Sequence, residues 1–453
     1  MPALLGLALV AACSGAPRTP GTIVLASGTD LEGMQPLATT HVMSRQVQKF
    51  LVFTPLAALD DSLRVVPWGA TGWTWRDGGR TLAVTVDTTL RWHDGRPVTA
   101  RDAAFTLALA RDTLVGWSRR AELEGVAAAA PDAATLLLHF ARAPGAVPAV
   151  LAELPLLPAH RLRDVDRARL REDPFTDAPV GSGPYRVVAR EAGRRWVLAR
   201  VPHFPARLGG PGASERIVVA VVDEATTKVA GLVSGALDMA GVNPATAALV
   251  RRDPTLRLVT YPTLFTNWLV FTAARPPFDD VRVRRAVALA LDRRALVDGG
   301  VGGFGTPSAA WSADLARDTT PPELARADSL LDAAGWRRGA DGMRARDGTP
   351  LAVTLLCVAT ADNAVEQLLQ GQLRARGIAV TIATREHGAM LVAARAPART
   401  HELLVTGVPG DLARGQLAQL FDPALAGGAL DFGAARPGAF GAALARLRAA
   451  GDP

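Results

Sequence analysis

Between Thr81 and Asp112 the alternation of apolar and polar positions changes period once, and the change divides the stretch into a strand and a helix. Leu82, Val84 and Val86 fall on one face of a period-two pattern and Ala83, Thr85 and Asp87 on the other, which predicts a strand. His93-Asp94-Gly95-Arg96-Pro97 is turn chemistry, because Asp-Gly tolerates positive φ and Pro97 cannot donate to a ladder. Thr99 then predicts an N-cap, with Asp102 three residues on completing a capping-box pattern. Phe105, Ala108 and Leu109 supply the apolar stripe of the helix that follows.

The same reading extends along the chain. Thr22 to Leu25 predicts a strand, residues 30–41 a loop, and residues 43–53 a helix on the spacing of Val47, Phe50 and Leu51. Ala178-Pro-Val-Gly-Ser-Gly-Pro-Tyr185 predicts a compact turn in which Gly181 and Gly183 take backbone angles closed to other residues. No Gly-Lys-Ser/Thr follows it, so a phosphate loop is excluded. The continuous run Arg216 to Val222 predicts a strand covered on both faces. Asp223 is expected to cap a helix through Val233, and Leu237 to Met239 to form another strand, giving a βα unit of a doubly wound sheet. Asp280 is expected to cap a helix with Val283, Ala286, Val287, Ala290 and Leu291 inward. A helix over 322–334 with Leu324, Ala327, Leu330 and Leu331 inward follows, with Gly335 as its terminator. A βαβ unit spans residues 351–384, a strand covers Leu403 to Val405, and an amphipathic helix runs from Phe440 to Ala450.

Composition narrows the class. At 453 residues the chain is too long for one ordinary core, and 49% hydrophobic with 21% charged residues is globular rather than disordered. Lys49 and Lys228 are the only lysines, so arginine supplies 48 (50 − 2) of the basic residues. The net charge of +7 is spread along the chain without basic blocks interleaved with aromatics, which argues against nucleic acid. Cys13 and Cys357 are the only cysteines, so no disulfide framework is expected. The apolar run Leu4 to Ala12 is too short for a spanning helix. It ends Val10-Ala11-Ala12-Cys13, which resembles a lipobox, although no Lys or Arg precedes it. Cys13 is therefore the candidate lipid anchor, and residues 1–20 the expected lipoprotein signal and tether.

Four ordered motifs carry a resemblance to a known family. Leu90-Arg-Trp-His-Asp-Gly-Arg-Pro-Val-Thr-Ala-Arg-Asp-Ala103, the Ala178–Tyr185 turn, Val221-Val-Asp-Glu-Ala-Thr-Thr-Lys-Val-Ala-Gly-Leu-Val-Ser-Gly235, and Pro277-Phe-Asp-Asp-Val-Arg-Val-Arg-Arg-Ala286 resemble the signatures of the family 5 bacterial extracellular solute-binding proteins. These are the peptide- and nickel-type receptors of ABC importers. The resemblance implies an α/β, two-lobed periplasmic binding protein-like fold of type II with an extra subdomain, closing over a solute by hinge motion. It implies lobe I over 21–50 and 178–262, the extra subdomain over 51–177, and lobe II over 263–453. Lobe II is expected to be incomplete, since the chain stops before the family's usual C-terminal end. By the same resemblance the substrate-binding candidates are His41, Asn267, Trp268, Trp311 and Asp411. Asn267 matches the family's "F-N" motif, and Asp411 the acid that in peptide receptors holds an amino group.

Function follows as an expectation. The chain is an extracytoplasmic binding lipoprotein, periplasmic or on the cell-surface side, that captures an oligopeptide or similar small solute and delivers it to an ABC permease. It is expected to act as a monomer, without catalysis, cofactor or metal. No metal-ligand cluster of recognised spacing occurs. A secreted lipid-anchored hydrolase is the competing class, but the sequence holds no G-x-S-x-G and no H-E-x-x-H. A ligand sensor without a transport role shares every feature above.

Overall fold

The computed structural model of the chain describes residues 19–39, 41–261, 265–308, 320–359, 363–409, 421, 431–433 and 438–450. Its internal contacts divide the chain into two compact units, Met1–Leu258 and Val259–Pro453.

Unit 1 begins with strand β1 (Thr22–Ser27) and helix α1 (Val42–Val47). The short pair β2 (Ala57–Leu59) and β3 (Val65–Pro67) leads to β4 (Ala70–Arg76) and β5 (Thr81–Val86). Helix α2 (Ala100–Arg111) and strands β6 (Val126–Ala129) and β7 (Thr135–Phe140) complete an antiparallel sheet of order β4-β5-β7-β6. Helices α3 (Val150–Glu153) and α4 (Ala159–Leu162) precede β8 (Tyr185–Glu191), β9 (Arg195–Arg200) and β10 (Arg216–Val221). Then come α5 (Ala225–Val233), β11 (Met239–Ala240) and α6 (Pro244–Arg252). The main sheet has order β11-β1-β10-β9-β8, with β1 parallel to both β10 and β11. One continuous core, including Leu82, Trp92, Leu136, Trp196 and Leu198, runs beneath both sheets.

Local chemistry explains these elements and corrects some expectations. The capping box at α2 is present: the Thr99 amide donates to Asp102 Oδ2 at 2.9 Å, and the Thr99 hydroxyl to the same oxygen at 2.8 Å. Asp102 Oδ1 also accepts from the Ala159 amide at 3.0 Å, which ties α4 to the same cap. The buried stripe of α2 is Ala103, Thr106, Leu107 and Ala110 with Leu109, one step round from the expected face. Ala108 is exposed, and Phe105 is half-buried beneath the Arg167 guanidinium, 5.4 Å from the ring centre. The β10 run is also less enclosed than its composition suggests. Only Val219 is fully buried, and the α5 helix that follows presents no buried residue. Glu224, not Asp223, caps α5, accepting from the Thr226 amide at 2.8 Å and the Thr227 amide at 2.5 Å. Hydrogen bonds from Thr226 and Thr227 hold the Glu224 carboxyl down to about 2.

Unit 2 opens with β12 (Phe265–Phe271), α7 (Val281–Ala290), α8 (Arg293–Gly300) and α9 (Leu324–Ala333). A small meander of β13 (Arg337–Arg338), β14 (Arg344–Arg346) and β15 (Thr349–Pro350) follows. The remaining elements are β16 (Ala352–Val358), α10 (Ala364–Arg374), β17 (Ala379–Arg385), α11 (His387–Arg395) and β18 (Leu403–Pro409), with a helix over Gly438–Ala450. The sheet order is β12-β18-β16-β17, with β16 parallel to both β17 and β18 and β12 antiparallel to β18. The expected βαβ unit is β16-α10-β17. Asp280 caps α7 by accepting from the Arg282 amide at 2.8 Å, and Val283, Ala286, Val287 and Ala290 are buried. On α9 Ala327 and Leu331 face the core, Leu324 is exposed, and Gly335 takes φ +87° beyond the helix end. Helices α7, α9 and α10 cover one face of this sheet, and α11 packs on the other.

Candidate functional site

The two best-marked motifs of unit 1 hold each other. His93, in the turn after β5, accepts the Gly181 amide at Nδ1 (3.1 Å) and lies 3.1 Å from the Gly183 carbonyl at Nε2. Its own amide donates to the Gly181 carbonyl at 2.7 Å. These partners fix the neutral tautomer with the proton on Nε2. Burial pushes the ring's pKa down to about 4, with the Gly183 hydrogen bond opposing it. The glycines are required by close approach, not by left-handed angles as expected, and neither has positive φ. A Cβ on Gly181 would lie inside the Val52 carbonyl oxygen and 2.8 Å from His93 Cε1, and one on Gly183 would overlap the Leu51 carbonyl oxygen. The Ser182 and Gly183 amides both donate to Val52 O, at 3.0 and 2.9 Å. The motif is thus a joint between the two sheets of unit 1, and the His93 ring is engaged in that joint.

The carboxyl ends of parallel strands are where α/β sheets hold ligands. At that edge of unit 1 stand Ser27 at the end of β1, Gly28 and Thr29 after it, and Asp223 after β10. A Cβ on Gly28 would be 3.6 Å from Lys228 Nζ and 3.7 Å from Asp223 Oδ1, so one of the chain's two lysines is turned to this edge. Its rarity was the one signal in the sequence that marked it. His41 is also here, but its ring is engaged: Nε2 is 3.1 Å from Thr29 Oγ1 and Nδ1 is 2.9 Å from Ser44 Oγ. Its amide donates to Glu32 Oε2 at 3.0 Å. The side chain therefore ties the loop ahead of α1 to the end of β1.

In unit 2, Asn267 and Trp268 are adjacent on β12, and adjacent strand residues point to opposite faces. Asn267 is exposed, opposite Gly407 of β18 and close to that strand's carboxyl end. It borders a cavity of about 290 Å³ whose wall includes Leu269, Leu291, Leu296, Leu369 and Val405. Trp268 is half-buried and packs toward Leu356, Met390, Leu404 and Phe432. Both candidates nonetheless border this cavity. Cys13, Trp311 and Asp411 lie outside the described residues.

Cys357 is buried and in no disulfide, and burial, then the nearby Glu366, raises its thiol to about 11. Among the described residues no group of three or more His, Cys, Asp and Glu is placed to hold a metal, and no helix is long and apolar enough to cross a membrane.

With this geometry established, comparison with known proteins adds the following. The model of the bacterial extracellular solute-binding proteins, family 5 (middle), matches residues 64–418. Protein XP55 of Streptomyces lividans is 30% identical over 294 residues, 62% of this chain and 51% of XP55. The chain thus spans about half the length of this relative. The oligopeptide-binding protein AppA of Bacillus subtilis is 25% identical over 411 residues, 87% of this chain and 74% of AppA. The solved structure of AppA in complex with a nonapeptide superposes with a TM-score of 0.76 at 22% identity, covering 94% of this chain and 87% of that one. NikZ of Campylobacter jejuni in complex with Ni(L-His) gives 0.77 at 19% identity, covering 95% and 87%. These likenesses establish the fold as that of the two-lobed family 5 binding proteins.

Proposed function

The chain belongs to the bacterial extracellular solute-binding proteins of family 5, and on that premise we propose that it is the substrate-binding receptor of an ABC importer, with short peptides as its cargo. The observation that carries this reading is the family match over residues 64–418, joined to the polar strand-end edges of both units. In unit 1 that edge offers Lys228 and Asp223, one charge of each sign, as a zwitterionic peptide requires. In unit 2 it offers Asn267, an amide able both to donate and to accept along a peptide backbone. AppA, similar over 87% of this chain, is named for oligopeptide binding. Delivery to a membrane permease, anchoring through a lipid on Cys13 and action as a monomer belong to the same proposal.

A solute that binds only the native state stabilises it, by about 2.7 kcal/mol at a concentration one hundred times its Kd. A mixed pool of short peptides is therefore expected to raise the melting temperature of the full chain by several degrees. Melting that stays unchanged with peptides, sugars and nickel chelates alike would count against a receptor. A shift with Ni(L-His) alone would move the cargo to the class seen in NikZ.

A further inference from the structure

The geometry points to a preformed apolar pocket in unit 2 that takes one aromatic or branched aliphatic group of the solute while its polar part stays at the mouth. As a statement about cargo this rests on the receptor reading, but the pocket itself is tested independently.

The walls come from three helices and two strands. From β12, Trp268, Leu269 and Phe271 line the cavity beside Asn267, and the Phe271 ring lies 5.0 Å from that of Phe278. Leu296 of α8, Val365 and Leu369 of α10 and Val405 of β18 close the sides. The space exists because Ala288 of α7 is too short to fill it.

The pocket is held open by the way α8 is fixed. At one end Asp292 and Gln372 exchange two hydrogen bonds, of 2.9 Å and 3.2 Å, which join the start of α8 to α10. At the other end the two helices touch through glycine: a Cβ on Gly300 would come within 2.6 Å of Val365 Cγ2. Pinned at both ends, α8 cannot collapse onto the sheet, so binding there requires little reorganisation.

Size and polarity select the guest. A dry apolar cavity of about 150 Å³ already accepts benzene, and drug-sized ligands need at least about 300 Å³. At about 290 Å³ the pocket suits one side chain, not a whole peptide. A cationic group would enter at considerable cost, because the lining residues include no carboxylate. The polar lining residues, Thr266, Asn267, Arg293 and Ser308, leave the hydrogen-bonding part of the guest near Asn267.

Indole serves as the probe, with binding to the full chain followed by ligand-detected NMR and thermal shift. Wild type is expected to bind indole, and Ala288→Leu to lose at least tenfold in affinity while melting no lower than wild type, because the added methylenes fill a void. Val405→Ile is the milder filling variant, expected to weaken indole several-fold should Ala288→Leu not fold. No indole binding, or equal binding by wild type and the filled variants, overturns the pocket. In a second arm Gly-Phe is expected to bind at least tenfold more tightly than Gly-Gly, and equal affinities overturn its role in selecting cargo. If indole binds and is displaced by filling while no peptide binds, the pocket stands and the peptide reading falls.

Discussion

Acidification from pH 6.5 to pH 4 is expected to remove about 3 kcal/mol of stability for each of two histidines, His93 in unit 1 and His401 in unit 2. Burial brings both to about 4 in the folded chain, and at His401 the Arg399 and Arg275 guanidinium groups act in the same direction. Their ordinary value is 6.5. Between these two values the unfolded chain binds more protons than the folded one, so stability rises with pH across the window. The contribution is complete above pH 6.5, falls as the pH drops through the window, and changes no further below about 4. His401 is 1% exposed, and among the described residues neither of its ring nitrogens has a hydrogen-bond partner, whereas His93 holds Gly181 and Gly183. The substitution His401→Leu should therefore flatten the pH dependence of unit 2 at little cost at pH 7. Urea denaturation at pH 7, 6, 5 and 4.5 measures this, and an unchanged slope in His401→Leu would contradict it.

The Arg344→Ala chain is expected to lose about 2–4 kcal/mol from unit 2, the cost of leaving two carbonyls without donors and a void where the side chain was. Arg344 is 2% exposed on β14, the middle strand of the small meander. Its Nη2 donates to Asp328 Oδ1 at 2.9 Å, and its Nη1 to Asp332 Oδ1 at 2.6 Å and the Trp336 carbonyl at 2.7 Å. Its Nε donates to the Arg376 carbonyl at 2.9 Å. Alanine leaves two carbonyls without these donors and a void beside Gly377. Arg344→Met fills the void but restores no donor, so it should recover only part of the loss. Arg326→Ala is the control, since its pair with Glu323 is exposed at 3.1 Å and should contribute less than about 1 kcal/mol. Chemical denaturation of the three variants separates these values, and a loss at Arg344 no larger than at Arg326 would refute the network's role.

What the sequence could reveal followed the range of each interaction. The strand, turn and capped helix of residues 81–112 were legible because hydrophobic period and capping are local. The stripe of α2 was misplaced by one step because tertiary packing, not helix period, chooses between adjoining faces. Gly181 and Gly183 are legible as constrained, but the cause is the backbone of Leu51 and Val52 and a ring from the turn after β5, which no local pattern reports. Asp223 and Glu224 are neighbours with similar chemistry, and only the geometry of the first turn decides which one caps. The resemblance brought Asn267 to a cavity but could not supply its walls, which come from β12, α7, α8, α10 and β18. Lys228 was noted only as a rare residue, and the sheet edge it faces emerges from the pairing of β1 with β10.

Native mass spectrometry of the full chain incubated with a mixed pool of short peptides tests the receptor claim most directly. The account predicts one peptide per chain, released with unaltered mass on denaturation and enriched in peptides carrying an aromatic or branched aliphatic residue. A chain that stays bare through peptides, sugars and nickel chelates, or that releases cleaved products, would contradict it.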